Sequence, residues 1–255
     1  MTTLQNKPAL VTGASKGIGR ATAAALADAG AFVLVHYGRS AGDAESLVSS
    51  IRAKGGRAEA VQSDLASSDG AVLLANQVRS IAGDRLDVLV SNAGISKSAT
   101  LRDHTPEDFD NLFATNVRSP FFLVQQLLPA LGEGSSIVFI SSLAARYMVG
   151  NPDPEGRSVL AYASTKGAIE TLVKHWAALL GSRGIRVNAV APGVIDTDMS
   201  SFTKTEAGRE TALKMQALKR IGKPEDIADV VTFLASDASR WITGASIPID
   251  GGSKL

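Results

Sequence analysis

The chain contains no cysteine. Disulfide scaffolds, thiol catalysis and thiolate metal sites are therefore excluded, and a reducing compartment is compatible. Net charge is missing as well: 26 Lys+Arg against 25 Asp+Glu leave +1 over 255 residues, so no field draws the chain to nucleic acid or to an anionic membrane. No stretch approaches the roughly 20 apolar residues that span a bilayer, and Met1–Lys7 lacks the apolar segment of a secretory signal. Aromatics are scarce at 5%, but 45% hydrophobic and 20% charged residues make an ordinary globular composition. A chain of this mass can bury about 70% of its surface around one core. The expectation is a single cytoplasmic domain over 1–255. The final Ser253-Lys254-Leu255 matches a peroxisomal address, the alternative destination in a eukaryotic host.

Short apolar runs suited to buried parallel strands recur at Ala9–Thr12, Phe32–His36, Ala58–Gln62, Val88–Ser91, Ile137–Ser141, Arg186–Val190 and Ser246–Ile249. Between them lie runs of helical period: Leu47, Val48, Ile51; Val72, Ala75, Val78; Leu172, Val173, Trp176, Leu179; and Ile227, Val230, Val231, Leu234. Thr105-Pro106-Glu107 and Lys223-Pro224-Glu225 mark helix starts, with proline in the first turn and an acid at the positive dipole end. Alternating βα units imply an α/β fold: a doubly wound, Rossmann-type parallel sheet of seven strands with helices on both faces.

Thr12-Gly13-Ala14-Ser15-Lys16-Gly17-Ile18-Gly19 follows the first strand and opens a helix. Glycines there permit a tight turn and close backbone approach to a pyrophosphate, which the helix N-terminus stabilises. The spacing differs from G-x-G-x-x-G, and an ordinary turn into a helix is the other reading. After the second strand, His36-Tyr37-Gly38-Arg39-Ser40 holds no acid where an NAD site places one on the ribose 2′-hydroxyl. Lys16 and Arg39 instead offer cations for a 2′-phosphate, so NADP(H) is preferred and NAD(H) possible; two solvated surface charges are the alternative. Tyr162 and Lys166 stand at i and i+4 on one helix face, an arrangement that can move protons but that, taken alone, is more often an ordinary helix surface.

These elements together resemble the short-chain dehydrogenases/reductases, and in particular members like the 3-oxoacyl-carrier-protein reductases. The resemblance runs from Leu10 to Gly252 through Thr12–Gly19, Asp64-Leu65, Asn92-Ala93-Gly94, Asn116, Ser141-Ser142, Tyr162–Lys166, Pro192-Gly193 with Thr197, and Ile249-Asp250-Gly251-Gly252. It implies hydride exchange between a nicotinamide cofactor and a carbonyl or secondary alcohol of a small molecule. Tyr162 would be the general acid or base and Ser142 the holder of the substrate oxygen. Lys166 would bind the nicotinamide ribose and lower the tyrosine pKa, and Asn116 would complete the tetrad. The implied cofactor-binding set is Gly13, Ser15, Lys16, Gly17, Ile18, Gly19, Tyr37, Arg39, Ser40, Asp64, Leu65, Asn92, Ala93, Gly94, Tyr162, Lys166, Pro192, Gly193, Ile195 and Thr197. A homotetramer is also implied. A 3-oxoacyl-carrier-protein reductase and a non-catalytic NADP(H)-binding sensor are the rival readings. Leu131-Gly132-Glu133-Gly134 stands where the former usually presents basic residues.

If one helix runs over Pro106–Leu131, Pro120 leaves the carbonyl of Asn116 without an intrahelical donor, free to hold a water linking Lys166 to solvent. Ser142 and Tyr162 are further apart in sequence than the family commonly shows, which locates an insertion within Met148–Arg157. Ser91 replaces an expected asparagine. His36, His104 and His175 are too scattered for a metal site, and none is expected. Trp176 reads as core or subunit contact. Met199 and Phe202 lie in a stretch, near 197–215, that reads as a lid over the substrate or as plain surface loop.

Overall fold

Seven short aliphatic runs form one parallel sheet in the order β3-β2-β1-β4-β5-β6-β7. The computed structural model describes residues 4–253; the last two residues of the Ser253-Lys254-Leu255 address lie outside them. The strands are β1 (Pro8–Val11), β2 (Phe32–Tyr37), β3 (Arg57–Gln62), β4 (Val88–Ser91), β5 (Ser136–Ile140), β6 (Arg186–Pro192) and β7 (Ser246–Ile249). β4 and β7 have the predicted bounds, and the others differ by one or two residues at an end. Thr12, predicted to end β1, leaves the strand, and its hydroxyl accepts from the backbone N–H groups of Asn92 and Ala93 at 2.9 and 3.0 Å.

Period-two alternation gives the sheet two cores. Ala9, Val11, Val33, Val88 and Val90 face one layer, formed by α1 (Gly17–Asp28), α2 (Ala41–Ala53) and α8 (Pro224–Ala235). Leu10, Leu34, Leu89, Ile137 and Phe139 face the other, formed by α3 (Gly70–Ala82), α5 (Ser119–Leu127) and α6 (Leu160–Leu180). Trp176 belongs to this second core, stacked on Phe139 at 5.2 Å between ring centroids. Two apolar faces turn from the expected orientation. α3 buries Ala71, Leu74, Ala75 and Val78 and exposes Val72, while Leu179 near the end of α6 projects outward. None of the helices described is long and apolar enough to cross a membrane.

The two prolines at helix starts are in place. Thr105 caps α4 (Pro106–Phe113) by accepting from Asp108 N–H at 3.1 Å. Asp226 in α8 accepts from Lys223 N–H at 2.7 Å and pairs with Arg220 at 2.6 Å. The single helix expected over Pro106–Leu131 is not what forms. α4 passes into a π turn at Ala114–Arg118, then into α5, which ends at Leu127. Ser119 N–H reaches back five residues to the Ala114 carbonyl, so a widened turn rather than a proline kink adjusts the backbone before Pro120.

The chain leaves β1 toward α1 on one face and β4 toward α4 and α5 on the other. β1 and β4 are neighbours in the sheet, so the crevice beyond their carboxyl ends is where an open parallel sheet accepts a ligand.

Candidate active site

One wall of this crevice is built from glycines. Gly13 and Gly17 have φ of +62° and +52°, which favour residues without a Cβ. Gly19 is required by contact: a Cβ there would stand 2.3 Å from the Gly13 carbonyl oxygen and 2.5 Å from the Asn92 amide nitrogen. That amide closes the turn from the other side, donating to the carbonyls of Thr12 and Gly13 at 2.9 and 3.0 Å. No side chain caps the N-terminus of α1, leaving its first N–H groups available to an anion. Thr197 lies against Gly17, 3.2 Å from where a Cβ would be, and Gly193 packs on Asp250 at 2.8 Å by the same measure. The Pro192–Thr197 segment and the glycine loop therefore meet across the crevice. Ser15 and Ile18 belong to the loop, and Ile195 is buried behind it.

His36, whose place in β2 and distance from the other histidines give no sign of a function in the sequence, holds the glycine loop. Its buried ring accepts from Gly13 N–H at Nδ1, 3.0 Å, and donates from Nε2 to the Ser63 carbonyl at 3.1 Å. Burial pushes its pKa down to about 4, keeping it neutral. One imidazole thus ties the glycine loop to the end of β3, beside Asp64 and the buried Leu65. The Asp64 carboxylate turns back on its own loop, accepting from Ala66 N–H at 2.9 Å. Of the two expected cations, Lys16 pairs with Asp43 at 3.2 Å, whereas Arg39 makes no ion pair among the described residues. Tyr37 ends β2 half-buried and Ser40 precedes α2, both on the side where Arg39 lies. A cradle that any Cβ would fill, an uncapped helix N-terminus and an unpaired cation beyond β2 fit a phosphorylated dinucleotide.

The opposite wall carries polar side chains. Tyr162, in the first turn of α6, lies beside the Ser142 hydroxyl beyond the end of β5. Ser142 Oγ accepts from Ala144 N–H at 3.1 Å, which fixes the hydroxyl. Lys166 is buried on the same helix face, its ammonium 5.6 Å from the Tyr162 ring centroid and donating to the Ile140 carbonyl at 2.7 Å. Burial lowers its pKa to about 8. Tyr162 does not show the expected downward shift. Burial pushes the phenol up and the Ser142 hydroxyl only opposes it, while the Lys166 ammonium donates to the Ile140 carbonyl. Asn116 sits in the π turn. Its side chain exchanges two 2.9 Å hydrogen bonds with the Ile95 backbone and donates to Thr165 Oγ1 at 3.0 Å. Gly94 packs against the polar wall, since a Cβ there would lie 3.2 Å from Asn116 Oδ1 and 3.7 Å from Lys166 Nζ.

The Met148–Arg157 stretch forms no helix or strand of its own. Ser158 exchanges backbone hydrogen bonds with Ala99 at 2.9 and 3.1 Å, Leu101 N–H reaches Pro154 at 3.4 Å, and Arg102 pairs with Glu155 at 3.0 Å. These links strap the stretch to the segment that follows Gly94. Across the crevice, a short 3₁₀ segment at Asp198–Lys204 and α7 (Glu206–Lys214) occupy the stretch after Thr197, with Met199 and Phe202 half-exposed. A cavity of about 520 Å³ lies beside it, lined by Asp196, Thr203, Lys204, Glu206, Arg209 and Ile221. No cluster of three or more metal-ligating side chains occurs among the described residues.

Comparison with known proteins accords with this geometry. Residues 13–254 match the family model described as enoyl-(acyl carrier protein) reductase. Versicolorin reductase 1 of Aspergillus parasiticus is 41% identical over 263 residues, covering 98% of this chain and 97% of that protein. The 3-oxoacyl-[acyl-carrier-protein] reductase FabG of Staphylococcus epidermidis is 39% identical over 97% of this chain and 98% of its own length. Among solved structures, the angucycline C-6 ketoreductase LanV with bound NADP superposes with a TM-score of 0.90 at 40% identity, covering 98% of this chain and 96% of that one. Glycine cradle, polar cluster and full-length likeness lead to one conclusion: the chain is an oxidoreductase of the short-chain dehydrogenase/reductase family.

Proposed function

We propose that the protein is an NADP(H)-dependent reductase of ketones carried on bulky apolar skeletons. The observation that carries this reading is the grouping of Tyr162 and Ser142 beside the buried ammonium of Lys166, in the crevice that the glycine cradle lines. When bound, the nicotinamide supplies the hydride. Glycine loop and helix N-terminus would hold its pyrophosphate, and Arg39, with Lys16 shared by Asp43, its 2′-phosphate. The LanV structure holds NADP, which supports the same preference here.

The chain's own residues then handle the oxygen and the proton. Ser142 donates to the carbonyl oxygen, and Tyr162 gives that oxygen its proton as negative charge develops. A phenol whose pKa is pushed up by burial stays protonated at neutral pH, which suits reduction. Lys166 follows at i+4, where it would hold the ribose and resupply the proton. The Asn116 carbonyl, in the π turn ahead of Pro120, would anchor the water that connects Lys166 to solvent.

Apolar side chains adjacent in sequence to these groups support the substrate class. Ile95 after Gly94, Tyr147 and Met148 after the Ser142 loop, Leu160 before Tyr162, and Met199 and Phe202 after Thr197 are all partly exposed. They suit a large apolar ketone, with 197–215 as the lid. The basic residues of the strap are engaged, Arg102 by Glu155 and Arg157 by the Ser98 carbonyl, which favours a free substrate over an acidic carrier protein. The exposed Phe121 and Phe122 on α5 and Leu179 on α6 offer the faces for a homotetramer, checked by light scattering.

NADPH consumption with polycyclic aromatic ketones, simple ketones, sugars, quinones and 3-oxoacyl thioesters tests the reading, with Tyr162→Phe alongside. Turnover greatest on polycyclic ketones and absent in the variant is expected. Preference for acyl thioesters would favour the carrier-protein reductase, and NADPH binding without turnover on any carbonyl would favour the sensor.

A further inference from the structure

The carboxylate of Glu170 grips the serine loop from both sides. Tyr162, Lys166 and Glu170 fall at i, i+4 and i+8, a single stripe along α6. One oxygen of Glu170 accepts from Ser141 Oγ at 3.1 Å and from Ser246 Oγ at 2.7 Å. The other accepts from Arg146 Nε at 3.1 Å, and the same guanidinium donates to the Ser246 carbonyl at 2.8 Å. The side chain is only 16% exposed, so these charge-assisted bonds are made largely out of water. Ser141 and Arg146 are the two ends of the short loop that carries Ser142 and its Ala144 contact. The Ser141 end is also held by β6, through its N–H to the Val190 carbonyl at 2.8 Å.

We propose that Glu170 is a positioning residue for the reaction: by clamping Ser141 and Arg146 to the helix that carries Tyr162 and Lys166, it sets the placement of Ser142 against Tyr162. The proposal rests on the proton-transfer reading of Ser142 and Tyr162. A carboxylate is needed because three donors converge on it. A glutamine could satisfy Ser141 and Ser246 with its oxygen but would turn its own N–H groups toward Arg146. Glu170→Gln therefore opens one side of the clamp and leaves the rest of the contacts available. The Arg146→Met variant removes the same link from the other end, and Ser246→Ala removes only the β7 arm.

The test measures kcat, the NADPH dissociation constant and thermal stability for Glu170→Gln, Arg146→Met, the double variant and Ser246→Ala, on whichever ketone the native protein turns over. Expected is a fall in kcat of about tenfold in Glu170→Gln and in Arg146→Met, with NADPH affinity within about twofold of native. The double variant should lose no more than either single one, because both break one link. Ser246→Ala should lose less. Unchanged kcat in the first two variants, or a kcat loss that only tracks a loss of folded protein, would overturn the proposal. Should Glu170→Gln fail to fold, Arg146→Met and Ser246→Ala decide by the same criteria. Turnover retained in Tyr162→Phe would instead overturn the proton-transfer reading, a result distinguishable from any outcome at Glu170.

Discussion

The two walls of the crevice are made in opposite ways. The β1–α1 wall works through side chains it does not have: Gly19 touches Gly13 so closely that no Cβ fits between them. The β5–α6 wall works through side chains it does have: Ser142 and Tyr162, half-buried, and Lys166, buried and donating to the Ile140 carbonyl. The first wall should fail when atoms are added and the second when they are removed. Binding and chemistry should therefore separate by variant, and each prediction below bears on that separation.

The largest effect is expected at the polar wall. Tyr162→Phe deletes the proton donor without changing the ring's volume, so kcat should fall by about 10²- to 10⁴-fold in steady-state NADPH oxidation. The next concerns the histidine latch of the glycine wall. His36 titrates at about 4 when folded against about 6.5 when unfolded, so the unfolded chain takes up its proton first as pH falls. Stability should be unaffected above about pH 6.5 and decline between there and pH 4 by about 3 kcal/mol. Urea unfolding across that range should show the slope in native protein and lose this contribution in His36→Leu. That variant should also be less stable at pH 7, because Gly13 N–H and the Ser63 carbonyl are left unpartnered.

Gly19→Ala should cost about 1–3 kcal/mol, expressed as weakened NADPH binding or lowered stability, while any protein that binds cofactor keeps its proton chemistry. Fluorescence titration of NADPH and a thermal melt check both. Smallest is the specificity of the 2′-phosphate. Arg39→Ala should reduce the preference for NADPH over NADH by about tenfold, whereas Asp43→Asn, which releases Lys16, should strengthen NADPH binding by less than about 1 kcal/mol.

Much of the fold is legible in the sequence because burial on both faces makes the central parallel strands near-continuous apolar runs, while the edge strands β3 and β7 are only partly buried. Val88–Ser91 and Ser246–Ile249 are read to the residue. The glycine spacing and the Tyr162–Lys166 pair are legible for a related reason: backbone proximity and helical periodicity are local properties. Contacts set by distant strands are not. Nothing in Phe32–Tyr37 indicates that His36 reaches Gly13 and Ser63, since that bridge requires β1, β2 and β3 to lie side by side. Glu170 is equally silent, because its partners come from β7 and from the loop after β5. The π turn at Ala114–Arg118 escapes detection too: Pro120 announces a disturbance, but whether the helix bends or widens depends on how Asn116 is held by Ile95 and Thr165.

Equilibrium binding of NADPH to Tyr162→Phe, followed by nicotinamide fluorescence, tests the separation of the two walls most directly. A dissociation constant within about twofold of native, in a protein that no longer turns over, is the expected result, because the glycine cradle is untouched by the loss of one phenol oxygen. A dissociation constant weakened by about tenfold or more would show that the Tyr162 phenol, and not only the ribose contact of Lys166, carries cofactor binding, and would contradict the division of labour between them.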